Sequence, residues 1–275
     1  MRFCSLGSGS AGNATLVEAG EGASTQRVLI DCGFSLRELE TRLSRIGLEP
    51  ADLDAVFITH EHGDHVGCAP LLARRHRLPL WMSRGTWHAI GSPELPEVLR
   101  LARDGELIDL GRLQLMPFTV AHDAQEPLQL RCSDGTHRLG VLTDLGSITD
   151  HVLDHLQGLD ALLLECNHDR AMLAASRYPA SLKARVGGRF GHLANHLAAQ
   201  MLSACVHRGL RHVVAAHLSA QNNTPDLARA ALAPAWGVSV HDIVVADQRT
   251  GFEWLDLGES SSCPAMNEGG SVVQA

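Results

Sequence analysis

Residues 59–65, "THEHGDH", follow the apolar run at 53–58 and set three imidazoles and two carboxylates within six positions. Such crowding inside a fold is costly unless a cation holds the groups together. At an extended strand end, side chains two apart point the same way, so His60 and His62 converge. Asp64 and His65 fall where the chain turns into a helix and aim at a neighbouring point. The stretch therefore predicts a metal site, one pair serving one ion and the other pair a second ion close by.

Two ions need more ligands than these four, and three further apolar runs end on a titratable group. His122 follows "MPFTVA", Asp144 follows "GVLT" and His217 follows "HVVAA". Repeated at strand ends, the arrangement predicts convergence at one rim of a sheet. The rest of the pattern reads as a strand, a small-residue loop and a second strand over 2–17, then strands at 27–30, 53–59, 80–83, 106–110, 112–120, 128–132, 138–142, 161–165, 212–216, 238–245 and 252–257. Helices are expected at 36–46, with a Ser35/Glu38 capping box, and from 64 to 75. Others are expected at 147–156, at 193–206 and from Thr224 to 232. Strands followed by helices in each half suggest two packed sheets with helices outside, an α/β architecture.

The 275 residues carry a formal charge of −8, which argues against indiscriminate coating of nucleic acid. The distribution says more. Between 170 and 225 there is no Asp or Glu, while Arg170, Arg177, Lys183, Arg185, Arg189, Arg208 and Arg211 all lie there. That window reads either as compositional drift or as a cationic wall beside a site for an anionic substrate. Seven cysteines without Cys-x-x-Cys spacing read as reduced thiols, mostly small core fillers. No run reaches the roughly 20 apolar residues that span a bilayer, and nothing resembles a signal peptide, so a cytoplasmic protein with no membrane partner is expected. The tail at 258–275 is rich in Ser, Gly and Asn, and disorder is expected there.

His-x-His-x-Asp-His, followed by a distant His, Asp and His in that order, resembles the metallo-β-lactamase superfamily. The resemblance implies a four-layer αββα sandwich over residues 1–257. It implies that His60, His62 and His122 bind one metal, that Asp64, His65 and His217 bind the second, and that Asp144 bridges them. Asp31, ending its strand before a glycine, matches the carboxylate that orients the metal loop. The stretches "GSGSAGNAT", "AHDAQEP", "ECNHD", "YPASLKARV", "GHLAN" and "HLSAQNNTP" are similar to the YycJ (WalJ) branch, whose members are linked to 5′-to-3′ DNA exonuclease activity. Ala194 stands where that branch would carry Ser, and His196 where it often carries an acid; neither is a ligand position.

A carboxylate bridging two ions holds them about 3.5–4 Å apart around a shared hydroxide, a nucleophile for a phosphodiester. Asp64 belongs to that reacting centre. The departing 3′-oxygen needs a proton, and His192 in "GHLAN" is the candidate general acid, with His168 in "ECNHD" second. Asn167 and Asn195 suit phosphate contacts, loop fixing or outer hydrogen bonds, and Lys183, Arg185 and Arg189 are candidate substrate contacts. An all-His/Asp shell accepts two Zn2+ or Mn2+ ions, or iron. Hydrolysis of DNA ends is the favoured expectation; a small ester, thioester or lactone on the same metals is the alternative.

Overall fold

The computed structural model describes residues 1–258, so of the tail expected to be disordered all but Gly258 lies outside the described residues. Strands β1 (Arg2–Gly7), β2 (Ala14–Ala19), β3 (Gln26–Ile30), β4 (Ala55–Phe57), β5 (Leu80–Ser83) and β6 (Leu99–Ala102) come first. There follow β7 (Ile108–Asp109), β8 (Gln114–Thr119), β9 (Leu128–Ser133) and β10 (Arg138–Leu142). The last are β11 (Ala161–Glu165), β12 (His212–Ala216), β13 (Val244–Val245) and β14 (Phe252–Asp256). They form two seven-stranded sheets, ordered β14-β1-β2-β3-β4-β5-β6 and β13-β12-β11-β10-β9-β8-β7.

Period-2 alternation makes the layers. Phe3, Val17, Val28, Ile30 and Phe57 of the first sheet meet Leu115, Leu130, Leu139, Leu163 and Val214 of the second in a shared inner core. The opposite residues of the first sheet, Cys4, Leu16, Leu29, Val56 and Leu80, lie under α1 (Leu36–Arg45), α2 (Gly63–Val66) and α3 (Ala69–His76). Strand β5 runs into α4 (Arg84–Ala89), capped by Ser83 Oγ on the Thr86 amide at 3.0 Å. On the second sheet, Leu142, Leu162, Leu164, Val213 and Ala215 lie under α5 (Asp150–His155). Two shorter helices, α6 (Arg170–Ala175) and α7 (Ala180–Val186), precede α8 (Asn195–Cys205) and α9 (Pro225–Trp236), which complete that outer layer. Each fully buried Leu or Phe in these cores contributes about 1.5–3 kcal/mol. The result is the αββα sandwich, and among the described residues no helix is long and apolar enough to cross a membrane.

Several elements differ from their sequence expectation for local reasons. The helix expected at 64–75 breaks at Gly67, whose φ of 37° no helix accommodates. Ser35 caps α1, but Glu38 turns away from a capping box because Arg42 Nε offers it a charged partner at 2.8 Å. Strand β6 and α4 were not expected. The strand expected at 238–245 shrinks to β13 after a 3-10 turn at Val240–Asp242, capped by Ser239.

Strands β3 and β4 run parallel, as do β10, β11 and β12. Their carboxyl ends open on one rim, the usual ligand-binding edge of such sheets. Register explains the crowding there: Leu142 pairs with Leu164, and Glu165 with Ala216, so Asp144, Glu165 and His217 emerge side by side.

Candidate metal centre

Asp31, Asp144 and His217 each leave a strand end with a left-handed backbone, φ 61°, 59° and 52°. A non-glycine residue there costs on the order of 1 kcal/mol, and the conformation swings the side chain off the sheet face onto the rim. The loop before α2 is held equally tightly. Gly33 passes so close beneath it that a Cβ there would sit 1.7 Å from the Asp64 carbonyl oxygen.

Two groups of side chains result. In the first, His60 Nε2 lies 3.0 Å and His122 Nε2 3.3 Å from His62 Nδ1, so three ring nitrogens converge. The rings are oriented by neutral oxygens, Thr59 Oγ1 3.0 Å from His60 Nδ1 and the Gly191 carbonyl 3.0 Å from His122 Nδ1. In the second, His65 Nε2 lies 2.9 Å from Asp144 Oδ2 and 3.7 Å from Asp64 Oδ2, and His217 Nε2 lies 3.6 Å from Asp64 Oδ2. These rings are backed by carboxylates: Asp31 Oδ2 is 2.8 Å from His65 Nδ1, and Glu165 Oε1 is 3.2 Å from His217 Nδ1. Asp144 touches both rings of the second group and is itself 1% exposed. Glu61, the loop's remaining carboxylate, turns outward to accept the Gln125 amide at 2.7 Å.

Electrostatics separate the groups. Burial, with the neighbouring imidazoles adding to it, pushes His60 and His122 below the usual imidazole range, leaving neutral rings with lone pairs to offer. Burial also opposes charge on His65, but Asp144 and then Asp31 outweigh it and raise it to about 10. His217 is raised in the same way, by Asp144 against burial. Asp31, Asp144 and Glu165 are buried together, and Asp64 partly so, which calls for compensating positive charge. His217 Nε2 is buried without a hydrogen-bond partner, facing the gap. Converging neutral nitrogens, surplus carboxylates and an orphaned imidazole nitrogen together fit divalent cations.

The remaining candidates spread out. His192, 23% exposed, lines the cleft with Asp64, Asp144 and His217, and its Nδ1 meets Glu165 Oε1 at 2.8 Å. Burial opposes its protonation, but Glu165 dominates and lifts it to about 9. Arg185 lines the same cleft, its Nε 2.5 Å from Asp123 Oδ2. Arg189 is exposed and lies beside Phe190, its guanidinium carbon 5.7 Å from the ring. Lys183 and His168 instead line a separate cavity behind His192. Asn167 does not face the cleft: it is buried and donates to the His217 carbonyl at 3.1 Å. Asn195 exchanges bonds of 2.8–2.9 Å with Asn223 and fixes the loop there. Three contributors went unforeseen: Glu165, Asp123, and Asn13, whose Nδ2 is 3.0 Å from His65 Nε2.

Two stacked sheets with this donor set at their shared rim define a metal-dependent hydrolase of the metallo-β-lactamase fold. The chain belongs to the β-lactamase superfamily, since the family model described as Beta-lactamase superfamily domain matches residues 26–218. It is 32% identical over 233 residues to exodeoxyribonuclease YycJ of Bacillus anthracis, covering 83% of this chain and 86% of that one. It is 30% identical over 270 residues to exodeoxyribonuclease WalJ of Streptococcus pneumoniae, covering 96% of both. In fold it matches the metallo-β-lactamase fold protein YhfI from Bacillus subtilis at a TM-score of 0.70 and 17% identity, over 92% of this chain and 98% of that one. The family implies divalent metal ions, in agreement with the donor set.

Proposed function

We propose that the chain is a binuclear-metal phosphodiesterase that hydrolyses DNA from a 5′ end. The observation that carries the reading is the convergence of seven donors, His60, His62, Asp64, His65, His122, Asp144 and His217, around one cleft. In support, the relatives matched over most of their length are named exodeoxyribonucleases. His60 Nε2, His62 Nδ1 and His122 Nε2 would hold one ion; Asp64, His65 Nε2 and His217 Nε2 the other, with Asp144 between them. Two Zn2+ or Mn2+ ions, or iron, suit the set. Bound there, they supply Lewis acidity and activate water.

The chain's own residues do the rest. Arg185, steadied by Asp123, offers a cation at the cleft mouth. His192 has Nδ1 committed to Glu165, so Nε2 is the nitrogen from which it gives a proton to the departing 3′-oxygen. Glu165 fixes that tautomer and keeps the ring charged until the proton is used. His168, seated in the neighbouring cavity, is no longer needed as the acid.

One metal-loaded preparation should be assayed against single- and double-stranded DNA, RNA, a phosphodiester dye ester, a thioester and a lactone. Cleavage of DNA from its ends is the expected result. A thioester or lactone cleaved far better than any nucleic acid would overturn the reading.

A further inference from the structure

Between β6 and β7, the edge strands of their sheets, the chain crosses from the first sheet to the second. The crossing turn at 103–107 is laid on β8, where the Gly105 amide donates to the Pro117 carbonyl at 2.9 Å and the Thr119 amide to Asp104 Oδ1 at 3.2 Å. Asp104 also meets α5, on which His151 and His155 stand four residues apart and so share a face. Their rings approach edge to face, with centroids 4.9 Å apart, and His151 Nε2 lies 3.1 Å from Asp104 Oδ1. One ring nitrogen of each histidine and one carboxylate oxygen all lie within 4.8 Å of one another.

An ion pair alone explains this group poorly. An exposed His–Asp pair contributes little, and it leaves His155 out. The His155 ring is stacked on Phe118 at 4.5 Å, which fixes its plane, and its Nδ1 is buried without a hydrogen-bond partner. Burial, with His151 and Arg131 adding to it, holds His155 below the usual imidazole range, so the ring keeps a lone pair at neutral pH. Asp104 and Asp154 offset the charge of Arg131. Ligands held at about 2.0–2.1 Å from a tetrahedral zinc stand about 3.3 Å apart, close to the separation of Asp104 and His151. Both of those side chains are nearly half exposed and free to rotate onto an ion. The same close approach of donors marks the rim, where His65 Nε2 lies 2.9 Å from Asp144 Oδ2.

We infer that Asp104, His151 and His155 bind a further transition-metal ion, Zn2+ or one of similar softness, with water completing its shell. Imidazoles beside a carboxylate favour such an ion over Mg2+ or Ca2+, which take oxygen ligands. The ion clamps the crossing turn onto α5 and so holds the joint between the two sheets. Its role is to stabilise the fold, not to turn over substrate. None of the three donors belongs to the rim centre, so the inference stands apart from the nuclease reading.

The test counts ions on the full chain after dialysis against Zn2+. His151→Ala and Asp104→Asn should each weaken the binding of one ion at least about tenfold. Asn at 104 can still accept the Thr119 amide, so the turn survives that change. His241→Ala, which removes an exposed histidine outside the site, should bind as much Zn2+ as the wild type. The same one-ion difference should appear when His151→Ala is added to Asp144→Ala, since the rim does not supply this site. Zn2+ added beyond the rim ions should raise the melting temperature of the wild type by at least about 2 °C and leave that of His151→Ala unmoved. Equal Zn2+ in the wild type and His151→Ala, an equal loss in His241→Ala, or an equal rise in melting temperature in His151→Ala would overturn the clamp. A wild type that binds one ion more than His151→Ala yet cleaves no DNA would sink the nuclease reading and keep the clamp.

Discussion

The two ring groups at the rim are built alike in front and differently behind. His60 and His122 lean on a hydroxyl and a carbonyl, whereas His65 and His217 lean on Asp31 and Glu165. Neutral oxygens orient an imidazole; buried carboxylates orient it and also make it a stronger base. The direction of titration divides the same way, downward for the first pair, chiefly by burial, and upward for the second, chiefly by Asp144 with the backing carboxylates adding to it. The first group therefore offers a cation lone pairs with little charge, and the second an excess of negative charge. Asp144 is the piece that joins them.

The largest effect should come from removing that joint. Asp144→Ala is expected to lose at least one ion and nearly all turnover, with elemental analysis of the pure protein giving the stoichiometry. A wild type holding less than one ion per chain, with no activity restored by added metal, would end the two-group description. Next comes His192, which shares the carboxylate backing of the second group through Glu165 but is not assigned as a ligand. His192→Ala should keep the wild-type metal content and lose about 10²–10⁴-fold in rate on DNA. It should lose much less on a p-nitrophenyl diester, whose leaving group needs no proton. Equal losses on both substrates would remove the general-acid role.

A smaller effect separates the two kinds of backing. Asp31→Ala should weaken metal binding or activity by about 10–100-fold. Thr59→Val strips the hydroxyl behind His60, which also donates to Asp31 at 3.0 Å, but the Thr59 amide still bonds Asp31 at 2.9 Å and the carboxylate stays, so it should cost less than that. Metal titrations of the two variants side by side measure the difference. Equal losses would mean that orientation alone matters and that the charge behind the ring does not.

What could be read beforehand follows the same division. The strand-end histidines and aspartates announced themselves, because an apolar run ending on a titratable group is a local signal that period-2 burial makes strong. Glu165 ends "ALLLE" in the same manner, yet it lies in the strand itself and acts through other side chains, so its signal resembled a strand terminus and no more. The left-handed turns at Asp31, Asp144 and His217 had no glycine to mark them. The split of the helix at Gly67 depended on the approach of Cys32 and Gly33 in the loop after β3, a tertiary contact with no local trace. The basic window was legible as charge but not as geometry. Which face of α7 carries Lys183 and which carries Arg185 is decided by how a seven-residue helix packs, and the two side chains enter different cavities.

The smallest effect calibrates the comparison away from the metals. Asp134 is a carboxylate that gathers donors as Asp31 and Glu165 do, but in the turn between β9 and β10. It accepts the Thr136 amide at 2.9 Å and the His137 amide at 2.7 Å, and lies 3.2 Å from His137 Nδ1. Partial burial pushes it up, but those donors outweigh burial and hold it well below the usual carboxylate range. A depressed folded value means that the ionised form stabilises the fold. That contribution is complete above the unfolded value of about 3.9 and fades as pH falls towards the folded one. Asp134→Asn should therefore lower the melting temperature by about 2–4 °C at pH 7. The gap to wild type should narrow as the pH drops below about 4, with metal content unchanged throughout. A gap of constant size down to pH 2 would tie it to shape and not to ionisation. A loss of metal would show that carboxylates far from the rim also bear on the ions, and the contrast between the two ring groups would lose its meaning.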